Sequence, residues 1–375
     1  MKLARVDYIL LISILVLTTF GIVVIYSSSS HYAMLKFGSA SQLVEGHLKK
    51  AVVGVVVLFV AMNFKPKTWK KLARPIFLIG LVFCLIVLFK FSALTLTAKG
   101  ATRWISIFGI SFQPSEIIKI GLILVLAKTL EQNQEWISDF KRGFLPPMIL
   151  LVFVFGILLK QPSYSMCLMI SGITLCMVFV AGCNFKHIFI FIASCLPIFV
   201  TIAMWTPYRR ARINAMLDPT QNVDSGYQQT AALASLSKGG FNGVGLGEGT
   251  QKLGWLPEPF TDSIYATIGE ELGFIGTSLI MIVFAIIIWR GLLISFHSQD
   301  VFSRLLALGI TMGIAMNVLL HVAVCLRVIP PTGQPLPLIS HGGTNLIMTL
   351  GAMGILLSLS RNDDYPAINT EGRLT

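Results

Sequence analysis

Three acids crowd the head of one apolar stretch. Asp262, Glu270 and Glu271 lie in LPEPFTDSIYATIGEELGFIG (256–276), and the polar segment before it carries Arg209, Arg210, Arg212, Lys238 and Lys252. Ionised groups at membrane depth cost roughly 2.5–3.5 kcal/mol each by insertion scales, so a cluster of them points to function. A carboxylate among cations beside a bilayer suits proton abstraction next to an anionic, lipid-borne group.

The helix that must position these acids starts near Thr261, a capping type, which puts Asp262 in the first turn. Plain helix-start electrostatics would also account for an acid there. At about 100° per residue, Glu270 falls some 80° from Asp262 and Glu271 on the opposite face. Glu270 is expected to share Asp262's cavity about two turns deeper, and Glu271 to pair with a cation on an adjacent helix. In QPSEIIKIGLILVLAK (113–128), Pro114 suits a first helical turn, and Glu116 and Lys119 share a face. They form either a structural pair or, with Lys119 near Asp262, a means of holding that acid ionised.

The arginines of YRRARI (208–213), joined by Arg103, fit a phosphate or diphosphate site, though interfacial anchoring explains any one of them. The glycines of KGGFNGVGLGEGTQK (238–252) match neither a P-loop nor a dinucleotide fingerprint, and read as a close-approach loop over a ligand or a plain flexible loop. Asn317 and His321, one turn apart, read as helix–helix hydrogen bonders, and the serines of YSSSS (26–30) as back-bonding to their own helix.

Composition sets the frame. Of 375 residues, 55% are hydrophobic and 12% charged, and mean hydropathy is +0.78. Soluble domains carry about twice that charge fraction. Apolar stretches fall near 8–28, 47–64, 75–96, 114–130, 144–160, 163–183, 187–206, 263–289, 303–326 and 341–360. The expected fold is therefore all-α, a polytopic membrane protein of about ten transmembrane helices, with a long extracytoplasmic loop (207–262) between helices 7 and 8. A single domain covers 1–375, and 362–375 reads as a polar cytoplasmic tail.

The basic run KPKTWKKLAR (65–74) marks the cytoplasmic side, and parity then puts both termini inside. The outer face is itself basic and accounts for most of the net charge of +12, which fits anionic ligands and membrane lipid and gives no sign of nucleic acid. Residues 327–345, with four prolines and three glycines, are non-helical at membrane depth and must line a cavity. The six cysteines lie in or beside apolar stretches with no metal-like spacing.

Taken together, VIYSSSS (24–30), ATRWISIFGISFQPSEIIKIGLILVLAK (101–128), RINAMLDP (212–219), the stretch 225–276 and PTGQPLPLISHGGTNL (331–346) resemble the SEDS family of peptidoglycan polymerases, the FtsW, RodA and SpoVE-like proteins. The division-type FtsW branch is the nearer pattern. The resemblance implies a glycosyltransferase that polymerises lipid II into glycan strands outside the bacterial cytoplasmic membrane, at the division septum. A lipid II flippase and a RodA-like elongation polymerase are the alternatives.

It implies further that Asp262 is the base for the acceptor sugar hydroxyl, supported by Glu116 and Lys119, and the helical geometry adds Glu270 as support. On the charge pattern above, Arg103, Arg209, Arg210, Arg212 and Lys252 are expected to hold diphosphates. A divalent cation, Mg or Mn, is implied with unknown ligands, and so are a class B penicillin-binding transpeptidase and other division proteins as partners. Three positions depart from the family pattern: Ser163 replaces an aspartate, Phe260 a histidine and His341 a tyrosine.

Overall fold

The computed structural model describes residues 6–89, 95–98, 101–107, 110–161, 163–205, 207–217 and 223–361, so the expected tail at 362–375 lies outside the described residues. Its helices are α1 (Tyr8–Phe37), α2 (Gln42–Met62), α3 (Pro66–Leu88), α4 (Pro114–Gln132), α5 (Leu145–Lys160), α6 (Tyr164–Val180), α7 (Phe185–Trp205), α8 (Pro207–Leu217), α9 (Val223–Gly239), α10 (Ile264–His297), α11 (Val301–Cys325) and α12 (Gly343–Ser360). Six are long and apolar enough to cross a membrane: α1, α3, α5 with the turn before it, α10, α11 and α12. Helices α8 and α9 form within the long polar segment 207–262.

The all-α expectation needs one amendment. Strands β1 (Thr95–Ala98), β2 (Ala101–Ile107) and β3 (Ile110–Phe112) form an antiparallel sheet in that order, with Thr95 opposite Ile105 and Ile105 opposite Phe112. The β-branched and aromatic residues of this stretch favour a pleated strand over an interfacial coil. Antiparallel pairing also satisfies its backbone groups at the edge of the bundle.

Helix contacts rely on small residues, as in other membrane bundles. A Cβ on Gly80 of α3 would lie 2.9 Å from the Ile118 Cα of α4, and one on Gly121 of α4 would lie 2.7 Å from the Phe77 Cα of α3. Helix α4 is buried on nearly every side, with Ile118, Leu122, Leu124 and Leu126 in the core. At the end of the bundle opposite the 207–262 segment, buried Asp7 caps α1 by accepting from the Leu10 N–H (3.0 Å). It also binds Arg290 of α10 at 2.6 Å, and its own N–H donates to the Ser360 hydroxyl oxygen of α12 (3.2 Å).

The strongest constraint is a break in α10. Gly273 has φ 64° and ψ −163°, a conformation essentially confined to glycine. The break frees the Glu270 and Glu271 carbonyls and the Phe274 and Ile275 N–H groups from their helical partners. The glycine-rich segment takes up all four: Val244 N–H donates to Glu270 O (3.0 Å) and Gly245 N–H to Glu271 O (3.0 Å). In return, Phe274 N–H donates to Gly240 O (2.9 Å) and Ile275 N–H to Phe241 O (3.2 Å). A Cβ at Gly239, Gly243 or Gly273 would collide with backbone across this contact. The close approach read from these glycines is real, and its object is α10, not a ligand.

Two carboxylates lock the same strap. Glu270 is 0% exposed and accepts from the N–H groups of Thr250 (2.9 Å) and Gln251 (3.2 Å), with Lys238 3.4 Å away. Glu271 meets Lys252 at 2.6 Å and accepts the Ser27 hydroxyl of α1 at 2.6 Å. The other Lys252 contacts are Gly247 O (2.7 Å) and Ser27 Oγ (3.0 Å), so its three ammonium hydrogens have three partners. Ser27 thus leaves the back-bonding expected of its run, although Ser28 keeps it through Ile25 O (3.3 Å).

Gly273→Ala is expected to destabilise the protein by about 1–3 kcal/mol. Gly156→Ala, with open space at its Cβ position, should be neutral or stabilising in thermal unfolding in detergent; equal behaviour of the two would count against a strained break. Glu271→Gln and Lys252→Met should each cost about 3–5 kcal/mol by stranding a buried charge. The double variant should cost less than the sum, and simple additivity in that cycle would exclude the buried pair.

Candidate active site

Asp262 sits half-buried in a turn just ahead of α10 and not inside its first turn as expected, because Ser263 occupies the N-cap position. The Thr261 hydroxyl does not cap the helix; it donates to Glu258 Oε2 (2.8 Å). The turn is laced by side chains: Ser263 Oγ donates to Pro257 O (3.0 Å) and Thr267 Oγ1 to Pro259 O (3.0 Å). Glu258 adopts φ 52°, and both Thr261 N–H and Ser263 N–H return to its carbonyl (3.2 Å each). These bonds fix the backbone on both sides of Asp262.

The proline-rich segment 327–342 packs against this turn. Ser340 Oγ donates to Thr261 O (2.8 Å), and His341 N–H donates to Phe260 O (2.9 Å). Gly333, at φ 69°, faces the acid so closely that a Cβ there would lie 3.6 Å from Asp262 Oδ2. Four side chains hold the segment in place. Arg212 of α8 donates to Pro331 O (2.6 Å) and Gln229 of α9 to Ile329 O (2.8 Å). Ser165 of α6 donates to Thr332 O (2.7 Å), and His321 Nδ1 of α11 lies 2.8 Å from Gln334 O. His321 therefore serves a cavity-lining loop and not a neighbouring helix, while Asn317 lines the cavity beside Lys119, Pro337 and Thr349.

Glu116 and Lys119 form a buried pair at 2.6 Å. The pair connects to the site through α12, where Asn345 Nδ2 donates to Glu116 Oε1 (3.1 Å).

Two expected site residues are engaged elsewhere. Glu270 does not face a cavity with Asp262: its carboxylate accepts from the N–H groups of Thr250 and Gln251 in the strap, and Asp262 lies ahead of the helix. Lys252 is spent on Glu271, Ser27 and Gly247 and has no hydrogen left for a diphosphate. Arg103 is half-buried on β2, Arg210 is exposed on α8, and the backbone of Arg209 lies on α8 with its side chain outside the described set. Among the described residues no group of three or more His, Cys, Asp or Glu side chains is placed to hold a metal ion.

Two departures from the resembling pattern meet each other. Phe260 stands edge-on to His341 with ring centroids 6.0 Å apart, and Tyr32 of α1 completes the contact 5.3 Å from Phe260. Where the pattern has histidine and tyrosine, this chain has phenylalanine and histidine, so an imidazole remains in the cluster on the opposite partner. Burial, and then the charge of Lys50, hold the His341 imidazole down to about 4. Ser163 is buried and donates to Gln161 O (3.3 Å).

Sequence reasoning passed over Ser340, Gln229 and Arg327, the last donating to Met216 O of α8 (2.7 Å). None stands in a chemical pattern, and their roles appear only once 327–342 is folded against α8 and α9.

Comparison with known proteins gives the family. The family model described as "Cell cycle protein", covering FtsW, RodA and SpoVE, matches residues 8–365. A protein of Trichlorobacter lovleyi named probable peptidoglycan glycosyltransferase FtsW is 39% identical over 360 residues, 96% of this chain and 94% of that one. Stage V sporulation protein E of Bacillus subtilis is 36% identical over 361 residues, 96% of this chain and 98% of that protein.

Among solved structures, a chain of a peptidoglycan synthase complex superposes with a TM-score of 0.77 at 24% identity, covering 96% of this chain and 98% of that one. The rod shape determining protein RodA of Thermus thermophilus gives 0.69 at 21%, covering 96% and 97%. Both show the shared fold. A match running nearly end to end, with relatives well above 30% identity, leaves one assignment: the chain belongs to the FtsW/RodA/SpoVE family.

Proposed function

We propose that this chain is a peptidoglycan glycosyltransferase that polymerises lipid II into glycan strands at the outer face of the bacterial cytoplasmic membrane, for septal wall synthesis. The observation that carries the reading is Asp262, a half-buried carboxylate fixed by a laced turn and faced by Gly333. The relatives named as peptidoglycan glycosyltransferases support the same reaction class. Ten spans with both termini cytoplasmic would put 207–262 outside, where the lipid-linked sugar is presented.

In that reaction Asp262 takes the proton of the acceptor sugar hydroxyl. The hydroxyl oxygen attacks the donor's C1, and the C1–oxygen bond to the diphosphate breaks with its electron pair leaving on the diphosphate. General base catalysis of this kind contributes about 10²–10⁴-fold. A diphosphate departs without protonation, so the paired carboxylates of glycoside hydrolysis are not required.

Glu116 and Lys119 would support the site from beneath α12. Arg103, Arg209 and Arg210 would gather lipid phosphates at the outer surface, while Arg212 steadies the loop that faces Asp262. The described residues offer no all-protein cage for the Mg or Mn ion implied by resemblance. A class B penicillin-binding transpeptidase fits as the partner that crosslinks the product.

Glycan polymerisation from lipid II, measured with the partner present, should fall about 10²–10⁴-fold in Asp262→Asn. Near-normal product would remove the assignment, and lipid II translocation without polymer would favour the flippase reading. Lys119→Met should impair polymerisation more than Lys128→Met, whose ammonium donates to Lys70 O (3.2 Å) away from the site; equal effects would deny Lys119 a role.

A further inference from the structure

In the segment that faces Asp262, the carbonyls are engaged and the N–H groups are not. Pro331 O accepts from Arg212 (2.6 Å), Thr332 O from Ser165 (2.7 Å) and Gln334 O from His321 Nδ1 (2.8 Å). Every peptide bond here is trans, so each carbonyl and the N–H that follows it point to opposite sides. Fastening Pro331 O to α8 turns the Thr332 N–H away from α8. Fastening Thr332 O to α6 likewise turns the Gly333 N–H away from α6.

Pro330, Pro331 and Pro335 carry no N–H, so Thr332, Gly333 and Gln334 supply all the donors of this stretch. Among the described residues none of the three has an acceptor. Gln334 is 8% exposed, and a buried N–H without a partner is rare enough to need a reason. Gly333 is exposed and left-handed at φ 69°, between two residues of negative φ. That alternation is how consecutive N–H groups converge on one oxygen.

The acid beside these donors limits what they can bind. A Cβ on Gly333 would lie 3.6 Å from Asp262 Oδ2. Two negative charges that close repel strongly in a partly buried site, so an anionic oxygen is disfavoured there. A neutral, strongly accepting oxygen is favoured, and an amide carbonyl is the strongest such acceptor that a sugar commonly carries. In the reaction proposed above the acceptor oxygen, next to Asp262, attacks C1 of the donor sugar. The substituent on C2 is then the group nearest to both C1 and the base, and an acetamido group there brings its carbonyl beside residue 333.

We propose that the N–H groups of Thr332, Gly333 and Gln334 bind the 2-acetamido carbonyl of the sugar whose C1 is attacked, with Ser165 and Arg212 as positioning residues that aim them. The inference deepens the polymerase reading and rests on it for the choice of sugar. It makes the site selective for 2-acetamido sugars over sugars with a hydroxyl at C2, because the shorter hydroxyl leaves the donors unpaired. Held this way, the amide oxygen is also kept from its own C1, which leaves that carbon to the acceptor hydroxyl.

The test compares lipid II with an analogue in which a hydroxyl replaces the 2-acetamido group of the lipid-linked sugar. The two share prenyl chain, diphosphate and charge, so a difference between them reports the sugar. Binding to the full-length protein in detergent and polymerisation with the partner present are both measured. Wild type should bind and polymerise lipid II about tenfold better, or more. Ser165→Ala should narrow that ratio to about threefold or less. Ser237→Ala, whose hydroxyl donates to Leu233 O (2.7 Å) on an exposed face of α9, should keep it. A merely structural role for Ser165 would weaken both ligands alike and leave the ratio standing. If Ser165→Ala does not fold, Thr332→Pro, which deletes one donor, carries the same expectation. Equal affinity of wild type for the two lipids overturns the site, and so does a ratio that survives either substitution in folded protein. Wild-type protein that prefers lipid II in binding yet makes no glycan would remove the polymerase reading and leave the site. Glycan made from both lipids at equal rates would do the reverse.

Discussion

The break of α10 at Gly273 governs the outer half of the molecule. A continuous helix would satisfy its own backbone and leave the glycine-rich segment nothing to bind. With the break, four backbone groups become available at membrane depth, where an unsatisfied group costs several kcal/mol, and the strap is the only described segment that meets them. Glu270 and Glu271 then fasten the strap through Lys238, Lys252 and two backbone N–H groups. Charges that looked like reaction machinery are the anchors that let a long polar segment fold back onto an apolar bundle.

Asp262 lies at the rim of this anchored region, held by the 257–263 turn on one side and the 327–342 segment on the other. The latter segment is tied to α6, α8, α9 and α11 by Ser165, Arg212, Gln229 and His321, so four helices converge on the loop that faces the carboxylate. Position, more than acid strength, is what the architecture supplies. Phe260 and His341 meet edge to face across the same seam.

Sequence made the membrane class, the apolar helices, Asp262 and the Glu116–Lys119 pair legible, because each rests on a local signal: hydropathy, an acid at the head of an apolar run, or an i,i+3 spacing. It misassigned Glu270 because a helical wheel assumes that both residues lie on one helix, and Asp262 sits in the turn ahead of the Ser263 N-cap. It misassigned Lys252 because a basic residue in a loop reads as free until the loop is folded onto Glu271, 19 positions later. The sheet at 95–112 was hidden by its own shortness. The partners of 327–342 lie in α6, α8, α9 and α11, separations at which no spacing rule operates.

A structure of the protein with lipid II and a glycan acceptor bound tests the central claim most directly. The account predicts an Asp262 carboxylate oxygen about 3 Å from the acceptor's attacking hydroxyl, the reach a general base needs. A carboxylate turned away from the sugar, with another basic group in contact with that hydroxyl, would contradict it.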